Sequence, residues 1–372
     1  MRVLLTSSPG IGHLFPLVNV AWTLRTAGHE VVVATAAKVT EAAVAAGLPA
    51  VDLRPDFDFE PIGAPFRERF ARLTPEDMTG RGIIEIGTEL FTVVAEHLVE
   101  RGVAFADHWR PDLVVHSPID GVGPLVAARL GVPAVAHEFG VTASRERRAL
   151  LREKMAPVYE RFGVTGEPPR SAVISIAPPS MYTGDDQAWT MRYVPYNAGG
   201  ALPEWLLVER TRPRVAVTLG TVFKNVTALR SLVSAARELD VEFVLALGGA
   251  DPSPLGELPD NVRVTDWVPL NALLAASDAI VHHGGSGTTM TAMTAGLPQI
   301  VLPQGADQHF NAVAVVKRGL GLAPEETALD ADTVRTLFSD AALRSVAEEV
   351  RDEIEAQPTP IELVPRLVAS LT

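Results

Sequence analysis

Val281-His282-His283-Gly284-Gly285-Ser286-Gly287-Thr288-Thr289 is the stretch on which the fold turns. The apolar run Ala279-Ile280-Val281 enters it and a helical stretch, Met290–Ala295, leaves it. A short buried strand, a glycine turn and a helix make the first half of a βα unit in a parallel sheet. Glycines let the backbone approach a ligand closely, and a helix start offers unbonded N–H groups and the positive end of the helix dipole. Gly287, Thr288 and Thr289 are therefore placed to hold a diphosphate, with Gly284, Gly285 and Ser286 in the same binding turn and His282 and His283 adding a hydrogen bond or a charge. The same glycines would also serve a turn that only packs a strand tightly on a helix.

Working outward, the pattern repeats. Val3–Thr6, Val31–Val33, Leu113–Val115 and Ala134–Ala136 form one series of β-branched runs. Val215–Thr218, Phe243–Leu247, Ala279–Val281 and Ile300–Leu302 form a second. The runs are continuous rather than alternating, as in strands buried on both faces. Ala- and Leu-rich helical stretches such as Leu17–Ala27 and Leu229–Leu239 lie between them. The expected class is α/β, with two Rossmann-like domains whose parallel sheets face each other across a cleft. From Pro178 to Pro213 the chain is rich in Pro, Gly, Tyr and Trp and lacks periodicity. The expected division is 1–196 for the first domain, 197–212 for the linker, 213–356 for the second domain, and 357–372 for a last helix returning to the first. That helix, Ile361–Leu371, follows the break Gln357-Pro358-Thr359-Pro360.

Composition narrows the function. The chain has 372 residues, a net charge of −13 and no cysteine. The charge argues against nucleic acid held on a broad basic face. The absence of cysteine removes disulfides and thiolate metal sites and makes the cytoplasm the expected compartment. No apolar run reaches the roughly 18 residues of a membrane span, and the start, Met1-Arg2-Val3-Leu4-Leu5, does not read as a signal peptide. Asp56-Phe57-Asp58 and Asp330-Ala331-Asp332 read D-x-D, a divalent-ion pattern of another transferase fold. The first sits in a Pro-flanked loop and the second at a helix start, where Asp is a common cap, so no metal is expected.

Two neighbours of the glycine turn add to it. Trp267-Val268-Pro269 ends a preceding strand and can lay an indole over a nucleobase, although a lone Trp is as readily core. Pro303-Gln304-Gly305-Ala306-Asp307-Gln308 follows the next strand, so Asp307 and Gln308 can hydrogen-bond sugar hydroxyls or simply form a solvated loop.

The order of these elements resembles the donor-binding region of the family 1 glycosyltransferases with the GT-B fold. Trp267 and Pro269 match its Trp-x-Pro; His282, Gly284 and Gly287 its His-x-Gly-x-x-Gly; Pro303, Asp307, Gln308 and Asn311 its Pro-x-x-x-Asp-Gln-x-x-Asn. Ser8-Pro9-Gly10-Ile11-Gly12-His13-Leu14-Phe15-Pro16 looks like the family's Gly-His-x-x-Pro loop, and Leu219-Gly220-Thr221 its Leu-Gly-Thr strand end. The resemblance spans the chain and is nearest to actinobacterial enzymes that attach deoxysugars to antibiotics. Met191–Tyr196 is similar to a stretch of the angucycline C- and O-glycosyltransferases.

The resemblance implies a metal-independent, inverting transfer of a deoxysugar from a nucleoside diphosphate, with thymidine as the expected base, to a hydrophobic aglycone such as an aromatic polyketide. No cofactor is implied beyond the sugar donor. His13, in the loop after the first strand, becomes the catalytic base: a free imidazole titrates near about 6.5 and can take an acceptor's proton at neutral pH. Gly12, Thr221 and Trp267 with Val268 join the donor site. Many relatives carry an acid after the fourth strand to orient the histidine. Here Ser117 stands at that position, and Asp120, three residues on, is the candidate substitute. Pro9, Phe57, Phe66, Ile83 and Phe139 are acceptor-wall candidates, with Phe91, Met155 and Tyr159 behind them.

Two other classes stay open. Gly10-Ile11-Gly12 begins like a dinucleotide fingerprint, but Phe15 stands at its third glycine and no acid follows Val33-Ala34-Thr35. A non-catalytic sugar-nucleotide-binding protein is opposed only by His13.

Overall fold

The computed structural model describes every residue except 75–76, 143, 185–186, 221–225, 326–327 and 372. The chain divides into two compact units: Met1–Ala177 with Tyr182–Ala198 and Gln357–Thr372, and Pro178–Met181 with Gly199–Ala356. The chain therefore leaves the first unit at Ala198–Gly199, and residues 199–212 belong to the second.

The first unit holds a seven-stranded parallel sheet: β1 (Arg2–Thr6), β2 (Glu30–Thr35), β3 (Ala50–Asp52), β4 (Leu113–His116), β5 (Ala134–His137), β6 (Ser171–Ser175) and β7 (Trp189–Thr190). Its order is β3-β2-β1-β4-β5-β6-β7. The helices are α1 (Ile11–Thr26), α2 (Lys38–Ala45), α3 (Glu60–Phe70), α4 (Arg81–Trp109), α5 (Val122–Leu130), α6 (Arg145–Lys154) and α7 (Ala156–Arg161). The central strands are apolar because both faces are covered. β4 and β5 are buried at every position, and Leu4, Val114 and Ala134 share a core with Leu98 and Val99 of α4 and Leu125 of α5.

The second unit repeats the design with six strands: β8 (Arg214–Thr218), β9 (Glu242–Ala246), β10 (Val262–Thr265), β11 (Ala279–His282), β12 (Gln299–Val301) and β13 (Gly321–Leu322), in the order β10-β9-β8-β11-β12-β13. Around it run α8 (Glu204–Leu207), α9 (Arg230–Ala236), α10 (Leu270–Ala275), α11 (Ser286–Thr294), α12 (Gln308–Arg318), α13 (Ala331–Ser339) and α14 (Ala341–Glu355). Successive residues of a strand point to opposite faces. Accordingly Val215, Val217, Phe243 and Leu245 enter one core, while Ala216, Val244 and Ile280 enter another on the far side. The last helix, α15 (Pro360–Leu371), belongs to the first unit, where it packs on α1.

Both sheets are wound outward from the middle. In the first unit the strand order reverses between β1 and β4, in the second between β8 and β11. The carboxyl ends of those pairs are where open α/β sheets bind ligands, because the two connecting loops diverge there and leave a crevice.

Two helix starts differ from the sequence reading. α1 begins at Ile11, not at Leu17, so His13 lies in its first turn rather than in a free loop. Pro16 sits inside the helix, where the intrahelical partner its missing N–H forgoes is the Gly12 carbonyl. α11 begins at Ser286, directly after the glycine pair. Neither D-x-D run gathers a carboxylate cluster among the described residues: Asp330 accepts Thr333 N–H at 2.8 Å as the cap of α13, and Asp58 accepts Glu60 N–H at 2.9 Å at the start of α3.

Candidate active site

At the switch point of the first unit, β1 ends in Thr6 and the chain turns through Ser7–Gly10 into α1. The Ser8 hydroxyl donates to Ile119 O at 2.9 Å, and Ser117 N–H donates to Thr6 O at 3.0 Å, so the loops after β1 and β4 are tied together. Gly10 is the N-cap and carries no side chain to cap the helix; no acid lies in the first turn. His13 is half-buried there, and its ring meets Phe91 of α4 and Phe139, just past β5, with centroids 5.1 and 5.2 Å apart. Pro9 is half-buried in the loop, while Gly12 is exposed and a Cβ built on it would meet nothing within 4 Å.

Asp120 is 3% exposed. Its carboxylate accepts the Thr6 hydroxyl and the N–H groups of Val122 (3.2 Å) and Gly123 (3.0 Å), which start α5. It thus clasps the end of β1, from which the His13 loop springs. Ser117 is buried beside it, at 1% exposure. His116 closes the group: burial pushes its imidazole below the ordinary value, and Asp120 opposes that shift.

The wall candidates divide. Phe139 touches His13. Phe66 and Ile83 are buried, at 8% and 5% exposure, as Phe139 is at 8%; Phe66 lies under the Arg69 guanidinium, 5.2 Å from its ring centroid. Met155 and Tyr159 are likewise buried, the latter stacked beneath Arg152. Phe57 is half-buried against His97. Phe91 was only one member of a long apolar segment in sequence, on the same face of α4 as the buried Val94, Ala95 and Leu98; its position on His13 is visible only in three dimensions.

At the switch point of the second unit, β11 runs into His282-His283-Gly284-Gly285 and α11 starts at once. His282 is engaged within the protein at both ring nitrogens. Gly284 N–H donates to His282 Nδ1 at 3.0 Å, which leaves Nε2 to donate to Gln299 Oε1 at 2.9 Å. Burial, with the neighbouring His283, lowers its pKa to about 3. A neutral ring with both nitrogens engaged brings no charge to a phosphate. His283 is also neutral, its pKa lowered by burial to about 4 against the opposing pull of Asp307.

The glycines have distinct tasks. A Cβ on Gly285 would collide with His283 Nε2, and one on Gly220 would stand 2.5 Å from His283 Cε1. A Cβ on Gly284 would stand 2.7 Å from Val301 Cγ1. These three make room for the protein's own atoms. A Cβ on Gly287 meets nothing within 4 Å, so there is room at that position, with Thr288 half-buried beside it. The first N–H of that helix to bond within it is Thr289, to Gly285 O at 2.9 Å.

Ser286 donates to Asp307 Oδ2 at 2.5 Å, and Asn311 Nδ2 bonds Gly284 O (2.7 Å), Ser286 Oγ (3.1 Å) and Asp307 Oδ2 (3.2 Å). Gln308 Oε1 accepts the N–H groups of Gln304 (2.7 Å) and Gly305 (3.2 Å), fixing the loop after β12. Trp267 is 46% exposed with its indole against Gly200, whereas the Val268 side chain is core, leaving only its backbone for a ligand. Thr221 lies outside the described residues.

Comparison with known proteins covers the chain. Residues 22–220 match a family model described as the N-terminal domain of erythromycin biosynthesis protein CIII-like proteins, and residues 230–370 match the corresponding C-terminal domain. Elloramycin glycosyltransferase ElmGT of Streptomyces olivaceus is 40% identical over 99% of this chain and 97% of its own. The crystal structure of glycosyltransferase SnogD from Streptomyces nogalater superposes with a TM-score of 0.88 at 41% identity, covering 100% of this chain and 99% of that one. SsfS6 of Streptomyces sp. SF2575, solved with thymidine diphosphate, gives a TM-score of 0.83 at 29% identity over 100% and 99%.

Proposed function

The chain belongs to the erythromycin CIII-like glycosyltransferases of antibiotic biosynthesis, and from that premise we propose that it is an inverting enzyme moving a deoxysugar from thymidine diphosphate to a polycyclic aromatic polyketide. Membership makes it a GT-B sugar transferase and sets aside the nicotinamide-dependent oxidoreductase. Among the described residues no helix is long and apolar enough to cross a membrane. The donor reading draws on SsfS6, whose structure holds thymidine diphosphate. The acceptor reading draws on the elloramycin enzyme and on the aromatic wall of His13.

The observation that carries the reading is the pairing of features on two equivalent switch points. One presents a half-buried imidazole between phenyl rings; the other presents a glycine-started helix with room at Gly287 in its first turn. We assign His13 as general base. It takes the proton of an acceptor hydroxyl as that oxygen bonds the anomeric carbon, while the bond from that carbon to the diphosphate oxygen breaks and its electron pair leaves with the diphosphate. A single displacement inverts the anomeric centre. An electron-rich aromatic carbon can attack in the same way, losing its ring proton afterwards, so O- and C-transfer both fit. The departing charge is received by the α11 amides around Gly287 and Thr288. Ser286 and Asn311 shape the Asp307 carboxylate toward sugar hydroxyls, Gln308 holds its loop, and Trp267 stacks on the base. Asp120 supports His13 by fixing the end of β1. With only neutral histidines in the α11 turn, leaving-group charge falls to backbone donors.

The test is transfer from thymidine diphosphate deoxysugars to phenolic aglycones, with product anomeric configuration read by NMR and a chelator control. Retention of configuration, or chelator-dependent turnover, sinks the proposed mechanism.

A further inference from the structure

A carboxylate that neither the fold nor the proposed chemistry requires lies at the end of β5. Glu138 follows His137, the last residue of that strand, and its side chain is 2% exposed. An ionised carboxylate so buried is costly unless charge-paired and hydrogen-bonded. Here Ser144 N–H donates to Oε1 at 3.4 Å, the Ser144 hydroxyl donates to Oε2, and Arg148 Nη1 donates to Oε1. Arg148 also donates to Ser144 Oγ at 3.0 Å, with a side chain 19% exposed.

Ser144 is the N-cap residue of α6, yet its hydroxyl caps no N–H of that helix. A serine there ordinarily accepts from the first turn; this one donates to Glu138 instead. The carboxylate thereby sits at the positive end of α6, and the strand end is tied to the helix start. Inside the tied segment lies Phe139, whose ring is 5.2 Å from that of His13. A buried ion pair is weak evidence for stability, since apolar groups of like volume often serve as well. What charged, directional bonds add is a fixed orientation for the backbone between them.

We propose that Glu138, Ser144 and Arg148 are positioning residues, a buried clamp that seats Phe139 on His13 and so sets the direction in which the imidazole meets an acceptor. The catalytic consequence rests on His13 being the base; the geometric one does not.

The test uses the full chain with 13C-labelled histidine, and the His13 ring resonance is assigned by its loss in His13→Gln. Ring currents of Phe91 and Phe139 act on that resonance, so its shift reports how Phe139 is seated. In Glu138→Gln/Arg148→Met no charge is left buried alone. That variant should melt near the parent, move the His13 signal beyond its line width and leave His282 and His283 unmoved. With a thymidine diphosphate deoxysugar and phenolic aglycone that the parent turns over, kcat should fall about tenfold to a hundredfold at unchanged donor KM. Arg148→Lys keeps the charge without the planar fork and should keep part of that kcat. A folded double variant with the parental His13 shift and kcat overturns the proposal. If the double variant does not fold, Phe139→Leu decides: an unmoved His13 signal there overturns it equally. Full turnover in His13→Gln would sink the general-base reading, while the shift comparison still judges the clamp.

Discussion

The two units solve one topological problem in opposite chemical ways. Each sheet reverses its strand order beside a central strand, β1 or β8, and each follows that strand or its neighbour with a glycine-started helix. In the first unit the group offered is a side chain: His13 stands half-buried, one turn into α1. In the second unit, histidines occupy the same kind of place but are sealed. His282 and His283 are 1% and 8% exposed, and burial is the main cause holding both neutral. There the roomy position is Gly287, where a Cβ would meet nothing within 4 Å. A titratable ring suits proton transfer, and fixed amide dipoles suit an anion that must be held without a proton changing hands.

The sharpest way to break this contrast is His13→Ala. Loss of a general base should lower transfer by about 10²- to 10⁴-fold, while calorimetry with thymidine diphosphate should show parental affinity. Near-parental turnover would leave both units without titratable chemistry.

Acid comes next. Unfolded histidine takes a proton near 6.5; folded His137 and His283 do so only near 4 and His282 near 3. Between those values the unfolded state holds more protons, so stability is intact above about pH 6.5 and is lost as pH falls toward 4. Those three rings together should cost about 3–4 kcal/mol between pH 7 and 5.5, as an order of magnitude, seen in urea midpoints at the two pH values. A flat profile would mean that these rings are not sealed.

Smaller effects separate the glycines. Gly285→Ala drives a methyl into His283 and should destabilise by about 1–3 kcal/mol. Gly287→Ala has room and should leave the melting temperature level or raised, yet weaken thymidine diphosphate binding. Equal behaviour of the two alanines would erase the distinction between packing glycines and one with room beside it. Last, Trp267→Ala should cost about 1 kcal/mol of nucleotide affinity without touching stability, since the indole is 46% exposed.

These tests fall where the residues were hardest to read. The central strands were legible because burial on both faces leaves uninterrupted apolar runs, as in Leu113-Val114-Val115 and Val215-Ala216-Val217. β3, β6, β7 and β13 were not, because they are short or lie toward a sheet edge, and Gly321-Leu322 carries no strand signal at all. The glycine turn announced its place but not its division of labour. Nothing in His282-His283-Gly284-Gly285 tells that two of the glycines bordering His283, Gly220 and Gly285, clear space for a ring, since one of them arrives from β8, more than sixty residues earlier. The Glu138 clamp was equally hidden, because Ser144 reads as an ordinary helix cap and only the fold turns its hydroxyl backward.

The route of the chain bears on anyone who would build hybrids from it and its relatives. Gln357 Nε2 bonds Ala177 O at 2.8 Å, Arg192 N–H bonds Pro358 O at 2.8 Å, and Arg170 reaches Leu371 O at 2.8 Å. A single splice near residue 198 would exchange the second unit together with α15, leaving α1 to pack on a foreign helix. A faithful graft takes four cuts, keeping residues 357–371 with their own partner and letting Pro178–Met181, whose Ser180 is bonded to Arg318 and Glu353, travel with the other half.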